Sequence, residues 1–259
     1  MTPPATHLTL LTGASRGMGL AMAQQLLAPD RLLICISRHH NEELQTLAHE
    51  RHAPLQQWTQ DLSDTNQAAE RLSAWLNSAD SGAFVSATLI NNAGVIPPIG
   101  PLDTCPPEAL TQALRVGLEA PMLLTAAFLR ATGAWVERGW LGPRKVLNIS
   151  SGLGRRAMAA QAPYCAAKAG MDHFTRCSAL DEARQPHGAR LVSLAPGVID
   201  TDMQTQLRAG NPALFPDRDR FIGLREQGQL STPAAAASQV LAWLERSDFG
   251  ETPVADVRD

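Results

Sequence analysis

"HLTLLTGASRGMGLAMAQQLLA", residues 7–28, decides the fold. A short apolar run of strand character enters a turn with glycines at 13, 17 and 19, and a helical pattern runs from 17 to 28. Gly13 suits a tight turn, Gly17 allows a close approach of the backbone to a phosphate, and Gly19 permits close helix–strand packing. The helix N-terminus then offers N–H donors and a positive dipole end to a pyrophosphate. Three glycines alone signal little, because turns use them structurally. Between a strand and a helix at the start of a βαβ unit they predict dinucleotide binding, with Ser15 and Met18 beside them.

Outward from this turn, apolar runs at 7–13, 31–37, 53–60, 87–94, 145–151, 189–197 and 252–257 alternate with helical patterns near 17–28, 41–52, 64–79, 106–132, 161–183 and 232–246. Near-continuous apolar strands separated by helices indicate a parallel sheet covered on both faces. The fold class is therefore α/β, a Rossmann-type doubly wound parallel sheet of about seven strands. No repeat or linker divides the chain, so residues 1–259 read as a single domain. Pro-rich stretches at 96–107 and 209–220 read as loops, and substrate loops are expected near 96–107 and 203–230.

A formal net charge of −3 gives no global attraction to nucleic acid or an anionic membrane. The start of the chain lacks the basic region of a signal peptide, and no apolar run approaches the roughly 20 residues needed to span a bilayer. Cys35, Cys105, Cys165 and Cys177 lack metal-ligand spacing and are expected to be buried reduced thiols in a cytoplasmic protein. His49 and His52 lack further ligands nearby, so a solvated surface is expected there and no metal site.

An acid usually ends the second strand when the cofactor ribose carries a free 2′-hydroxyl. Here Ser37 and Arg38 stand in that place, and Arg16 lies inside the glycine turn. Two guanidiniums suit a 2′-phosphate, which predicts NADP(H) over NAD. Asp61, followed by Leu62, is placed either to receive the adenine amino group or to cap the next helix.

The chain has one tyrosine, Tyr164, and two lysines, one of them Lys168 four residues later. Chance alone gives that spacing roughly once in a hundred. On a helix the two share a face. A close ammonium, helped by a positive nicotinamide ring, favours the phenolate, and bringing a phenol from about 10 to near 7 requires about 4 kcal/mol of differential interaction. Ser151, ending a strand, is placed to donate to an oxygen gaining charge.

Together "TGASRGMG", "NNAG" (91–94), a serine thirteen residues before the tyrosine, Tyr-x-x-x-Lys and "PGVIDTDM" (196–203) resemble the short-chain dehydrogenase/reductase family over essentially the whole chain. The resemblance implies that Tyr164 is the general acid/base, that Ser151 orients the substrate oxygen, and that Lys168 binds the nicotinamide ribose and lowers the tyrosine pKa. It further implies a cofactor floor at Asn92, Ala93 and Gly94, with Pro196, Gly197, Ile199 and Thr201 near the nicotinamide amide and phosphates. "YCAAKAGMD" and "ALDEARQPHGARLVSLAPGVIDTDMQ" look like the sepiapterin reductase branch, whose bacterial relatives reduce aromatic 1,2-diketones. That likeness implies that Asp256 anchors a pterin ring; an exposed terminal carboxylate is the alternative. One departure is Gly117, where many members carry an Asn that supports a proton relay. It is read as admitting a backbone-bound water, accommodating a bend or marking a weakened relay.

The expected activity is NADPH-dependent reduction of a ketone or 1,2-dicarbonyl. Two other readings stand beside it: a 3-oxoacyl carrier-protein reductase, for which Arg155 and Arg156 offer a small basic patch, and a catalytically weakened NADP(H) sensor. In the family this chain resembles, the two long helices, here about 106–132 and 161–183, pack against a twofold mate, which implies a homodimer or homotetramer; their apolar content could equally serve the chain's own sheet.

Overall fold

The computed structural model describes residues 7–259. The reading of the chain's start as lacking a signal peptide falls largely on residues 1–6, outside the described residues. Seven strands form one parallel sheet in the order β3-β2-β1-β4-β5-β6-β7. They are β1 His7–Thr12, β2 Arg31–Ser37, β3 Leu55–Thr59, β4 Ser86–Asn91, β5 Arg144–Ile149, β6 Arg190–Ala195 and β7 Val254–Asp256. The order reverses at β1, between β2 and β4, which opens a crevice beyond the carboxyl ends of the central strands.

Nine α-helices accompany the sheet among the described residues: α1 Gly17–Leu26, α2 Glu42–Glu50, α3 Thr65–Ser78, α4 Pro107–Leu114, α5 Ala120–Glu137, α6 Ala162–Glu182, α7 Asp202–Arg208, α8 Arg218–Glu226 and α9 Pro233–Leu244. None is long and apolar enough to cross a membrane. The strand alternation builds two cores. Leu8, Leu10, Ile34, Ile36 and Val146 face Leu72, Leu124, Phe128 and Trp135. Leu11, Leu33, Cys35, Leu147 and Val192 face Met22, Leu44, Val240 and Leu244. Neutral buried ties cross the sheet as well. Asn91 donates to Thr125 Oγ1 at 3.1 Å and to Asn148 Oδ1 at 2.8 Å, and Asn148 donates to Thr175 Oγ1 at 2.9 Å.

Two sequence expectations need correction. The stretch 203–230 is not simply loop: α7 runs into its start and α8 lies within it, and Leu207, Phe215 and Phe221 bury there against Ile96, Ile99 and Met158. That apolar set is too scattered to show a helical period. Of the four cysteines only Cys35 is buried, its thiol pushed up to about 12 by burial, while Cys105 and Cys165 are half-buried and Cys177 is exposed. All four are free. His49 and His52 are both exposed, as a solvated surface requires; α2 ends at Glu50 and His52 takes φ +52°. Among the described residues no three His, Cys, Asp or Glu side chains gather as a metal site requires.

Gly117 acquires a physical reason. The pattern at 106–132 is two helices joined by a π-turn at Arg115–Glu119, in which Ala120 N–H donates to the Arg115 carbonyl. Such a turn inserts a residue and bends the helix. A Cβ at Gly117 would lie 3.0 Å from Ala167 Cβ, so the glycine lets α6 approach next to Lys168. Of the three sequence readings, accommodating a bend is the one the backbone shows.

Candidate active site

The crevice at the carboxyl edge is a cavity of about 950 Å³. The glycine turn forms one wall. Gly13 and Gly17 take φ of +71° and +56°, a left-handed conformation that disfavours side chains. Gly19 is required by contact: a Cβ there would fall 2.0 Å from the Gly13 carbonyl oxygen. Thr12 Oγ1 accepts from the N–H groups of Asn92 and Ala93 at 2.9 and 3.0 Å, while Asn92 Nδ2 donates to the carbonyls of Thr12 and Gly13. Sequence reading gave Asn92 to the cofactor; the structure shows it buttressing the turn. Ser37, also assigned to the cofactor, accepts from Ala14 N–H at 2.8 Å and props the turn from β2.

Side chains cap α2, α3 and α9 through Asn41, Asp64 and Thr232, but among the described residues no side chain caps α1. Its first N–H groups therefore stay available to an anion. A Cβ at Gly94 would meet nothing within 4 Å, and Thr201 Cγ2 would lie 3.7 Å from a Cβ at Gly17. The floor is open at Gly94, and the segment after β6 closes over the turn. These features fit a nicotinamide dinucleotide. Ser15, Arg16, Met18, Arg38, Leu62, Pro196, Gly197 and Ile199 line the same cavity.

At the ribose end Arg16 pairs with Asp202, and both side chains are largely exposed. Such a pair contributes at most about 1 kcal/mol and yields readily to a stronger anion. Asp61 does not cap α3, since Asp64 does. Its Oδ1 instead accepts from Ser63 N–H and Oγ–H at 2.8 and 2.9 Å. These bonds, with the Arg38 charge, hold its carboxyl below the usual range.

At the other end Ser151, Tyr164 and Lys168 converge. Leu153 N–H donates to Ser151 Oγ at 3.1 Å, which leaves the serine proton free to donate. Ser151 hydrogen-bonds Tyr164. Lys168 is buried, its Nζ donating to the Ile149 carbonyl at 2.7 Å and lying 5.8 Å from the Tyr164 ring centre. The protein's own groups do not depress the phenol. Burial pushes Tyr164 up to about 12, against the lowering effect of Ser151. The ammonium is held on a backbone carbonyl rather than at the phenol oxygen, and burial brings Lys168 down to about 8. A phenol that keeps its proton is well suited to protonating an alkoxide, a far stronger base.

Sequence reading missed what fixes these groups. Asp172, one turn after Lys168 and buried, accepts from Ser150 Oγ at 2.6 Å, Ser193 Oγ at 2.7 Å and Arg155 Nε at 3.3 Å. Arg155 also donates to the Ala255 carbonyl at 2.6 Å, joining the segment after Ser151 to β7. A carboxylate four residues after a lysine looks like an ordinary helix pair, so only its burial reveals the role. Asp256 is not an exposed terminal group. It is buried in β7 on the cavity wall, and Arg258 grips both oxygens at 2.6 Å, holding its pKa down.

Residues 7–212 match the family described as short chain dehydrogenase. The chain belongs to that family of oxidoreductases. It is 35% identical to a benzil reductase ((S)-benzoin forming) of Bacillus cereus, over 95% of this chain and 96% of that one. It is 31% identical to a sepiapterin reductase of Xenopus laevis, over 93% of this chain and 92% of the relative. Among solved structures, a short-chain dehydrogenase/reductase of Burkholderia vietnamiensis shares 32% identity and a TM-score of 0.65, covering 100% of this chain and 99% of that chain.

Proposed function

We propose that this short-chain dehydrogenase is an NADPH-dependent carbonyl reductase acting on a ketone or 1,2-dicarbonyl. The observation that carries the reading is the convergence of Ser151, Tyr164 and Lys168 at the cavity end beyond the glycine turn. The cofactor, when bound, supplies a hydride to the carbonyl carbon. Ser151 donates to the carbonyl oxygen and holds it beside Tyr164, whose hydroxyl gives up its proton as negative charge develops there. Lys168, fixed by Ile149, keeps a positive charge next to that proton path. Similarity to a benzil reductase and a sepiapterin reductase supports a small carbonyl compound as substrate. NADPH consumption with benzil and with sepiapterin, NADH serving as control, tests the reading; no oxidation of NADPH with either ketone overturns it.

The preference for a 2′-phosphate rests on Arg38 and Arg16 and on the absence of a carboxylate ending β2. Arg38→Ser should raise the KM for NADPH by about tenfold or more, the weight of a charge-assisted bond, and leave the KM for NADH little changed. Equal effects on both cofactors would refute the assignment.

Asp256 supports a pterin only if an incoming donor competes with Arg258 for its oxygens. Sepiapterin turnover should then fall at least about tenfold in Asp256→Ala, with benzil turnover less affected. A carrier-protein substrate is less supported, because Arg155 of the expected patch is turned inward onto Asp172 and Ala255. We also infer the substrate loops near 96–107 and 203–230 from their shared apolar cluster, a reducing cytoplasmic location from four free thiols, and a homo-oligomer from Met122 and Leu180, 45% and 70% exposed on α5 and α6.

A further inference from the structure

Two guanidiniums in the cleft have no counter-charge, and we propose that they select ketones carrying a carboxylate next to the reacting carbonyl. The inference rests on carbonyl reduction at Ser151 and Tyr164 as proposed above and names its substrate class. The other charges along the cavity are engaged. Arg16 pairs with Asp202, Asp200 lies 3.6 Å from Arg208, Asp256 is gripped by Arg258, Arg38 sits by Asp61, and Lys168 is tied to Ile149. Among the described residues, Arg156 and Arg220 line the same cavity with no carboxylate within 4.0 Å and no side-chain hydrogen bond.

Arg156 is placed at the reacting end. A Cβ built on Gly152 would lie 3.2 Å from a terminal nitrogen of Arg156, so this guanidinium lies over the residue that follows Ser151. The missing side chain at Gly152 is what leaves it that space. Arg220 arrives from α8 beside Phe221, which buries in the same cluster as Met158, two residues after Arg156. Two separate segments thus each put a guanidinium on the lining of one cleft, both on exposed residues. An unpaired guanidinium in a partly enclosed cavity attracts anions more strongly than one in bulk water, and its two parallel N–H groups match a carboxylate. Asp256 does not cancel this field, because Arg258 neutralises it first.

Phenylglyoxylate and its methyl ester present the same ketone and differ by one charge. The ester is the more electrophilic, so the deciding quantity is how the acid-to-ester ratio of kcat/KM changes between proteins, measured with NADPH. Taking the ratio within one preparation cancels any loss of folded enzyme. Arg156→Gln should lower the ratio about tenfold to a hundredfold, as expected for a charge-assisted pair. Arg156→Lys should lower it less, and Arg220→Gln should lower it independently. Added salt should weaken the wild-type preference. An acid-to-ester ratio unchanged in both Gln variants overturns the inference while leaving the reductase reading intact. NADPH oxidation with neither compound, nor with benzil, overturns the reductase reading and the inference with it.

Discussion

Tyr164→Phe should lower kcat for ketone reduction by about a thousandfold, the usual weight of a positioned general acid. Ring and packing are kept, and only the hydroxyl that meets Ser151 is removed. NADPH affinity should change little, because the cradle of Gly13, Gly17 and the α1 N-terminus lies at the other end of the cavity. Stopped-flow hydride transfer and NADPH fluorescence titration separate the two quantities. A near-normal rate would refute the role of Tyr164. The pH profile adds a second signature. Burial lowers Lys168 to about 8, so its ammonium is present below that pH and lost as pH rises through it. The wild-type kcat/KM should therefore fall above about pH 8. Lys168→Arg, which stays charged throughout, should remove that limb, although its bulkier head will lower the overall rate.

Gly19→Ala should cost the protein both stability and cofactor. The added methyl would lie 2.0 Å from the Gly13 carbonyl oxygen and 2.5 Å from Asn92 Nδ2, neither of which is a free side-chain end. Asn92 is tied to the Thr12 and Gly13 carbonyls, so relieving the clash moves the turn itself. Overpacking of this kind costs about 1–3 kcal/mol, or a Tm drop of several degrees. NADPH affinity should fall about tenfold or more, since the N–H groups of the turn no longer point together. Thermal unfolding with and without NADPH measures both effects. A variant with wild-type Tm and an unchanged cofactor-induced shift would show that the turn tolerates the methyl, contrary to its geometry.

How much of this was legible depended on whether a feature is local. The strand–glycine–helix passage at 7–28 specifies its own backbone: glycine takes φ near +60° at low cost, and apolar runs alternating with helices indicate strands of a parallel sheet covered on both faces. The seven strands, most of the helices between them, and the spacing of Ser151, Tyr164 and Lys168 follow from such short-range patterns. The lone tyrosine four residues before a rare lysine needed no structure to be noticed.

What tertiary structure decided concerns long-range environment. Burial set the direction of the Tyr164 pKa, because desolvation outweighs the hydrogen bond with Ser151, while the Lys168 ammonium is held by Ile149. Asp172 became the hub of the site only when β5, β6 and the segment of Arg155 were folded around it. Arg155 and Arg156 are adjacent and chemically equal in sequence, yet one is drawn inward to Ala255 and the other is left unpaired in the cleft. Asp256 is a buried wall rather than a terminal charge because β7 docks on β6. A sequence pattern fixes which faces are apolar, since that choice repeats along a single element. It does not fix which distant charges meet, because their separation is set by how whole elements pack.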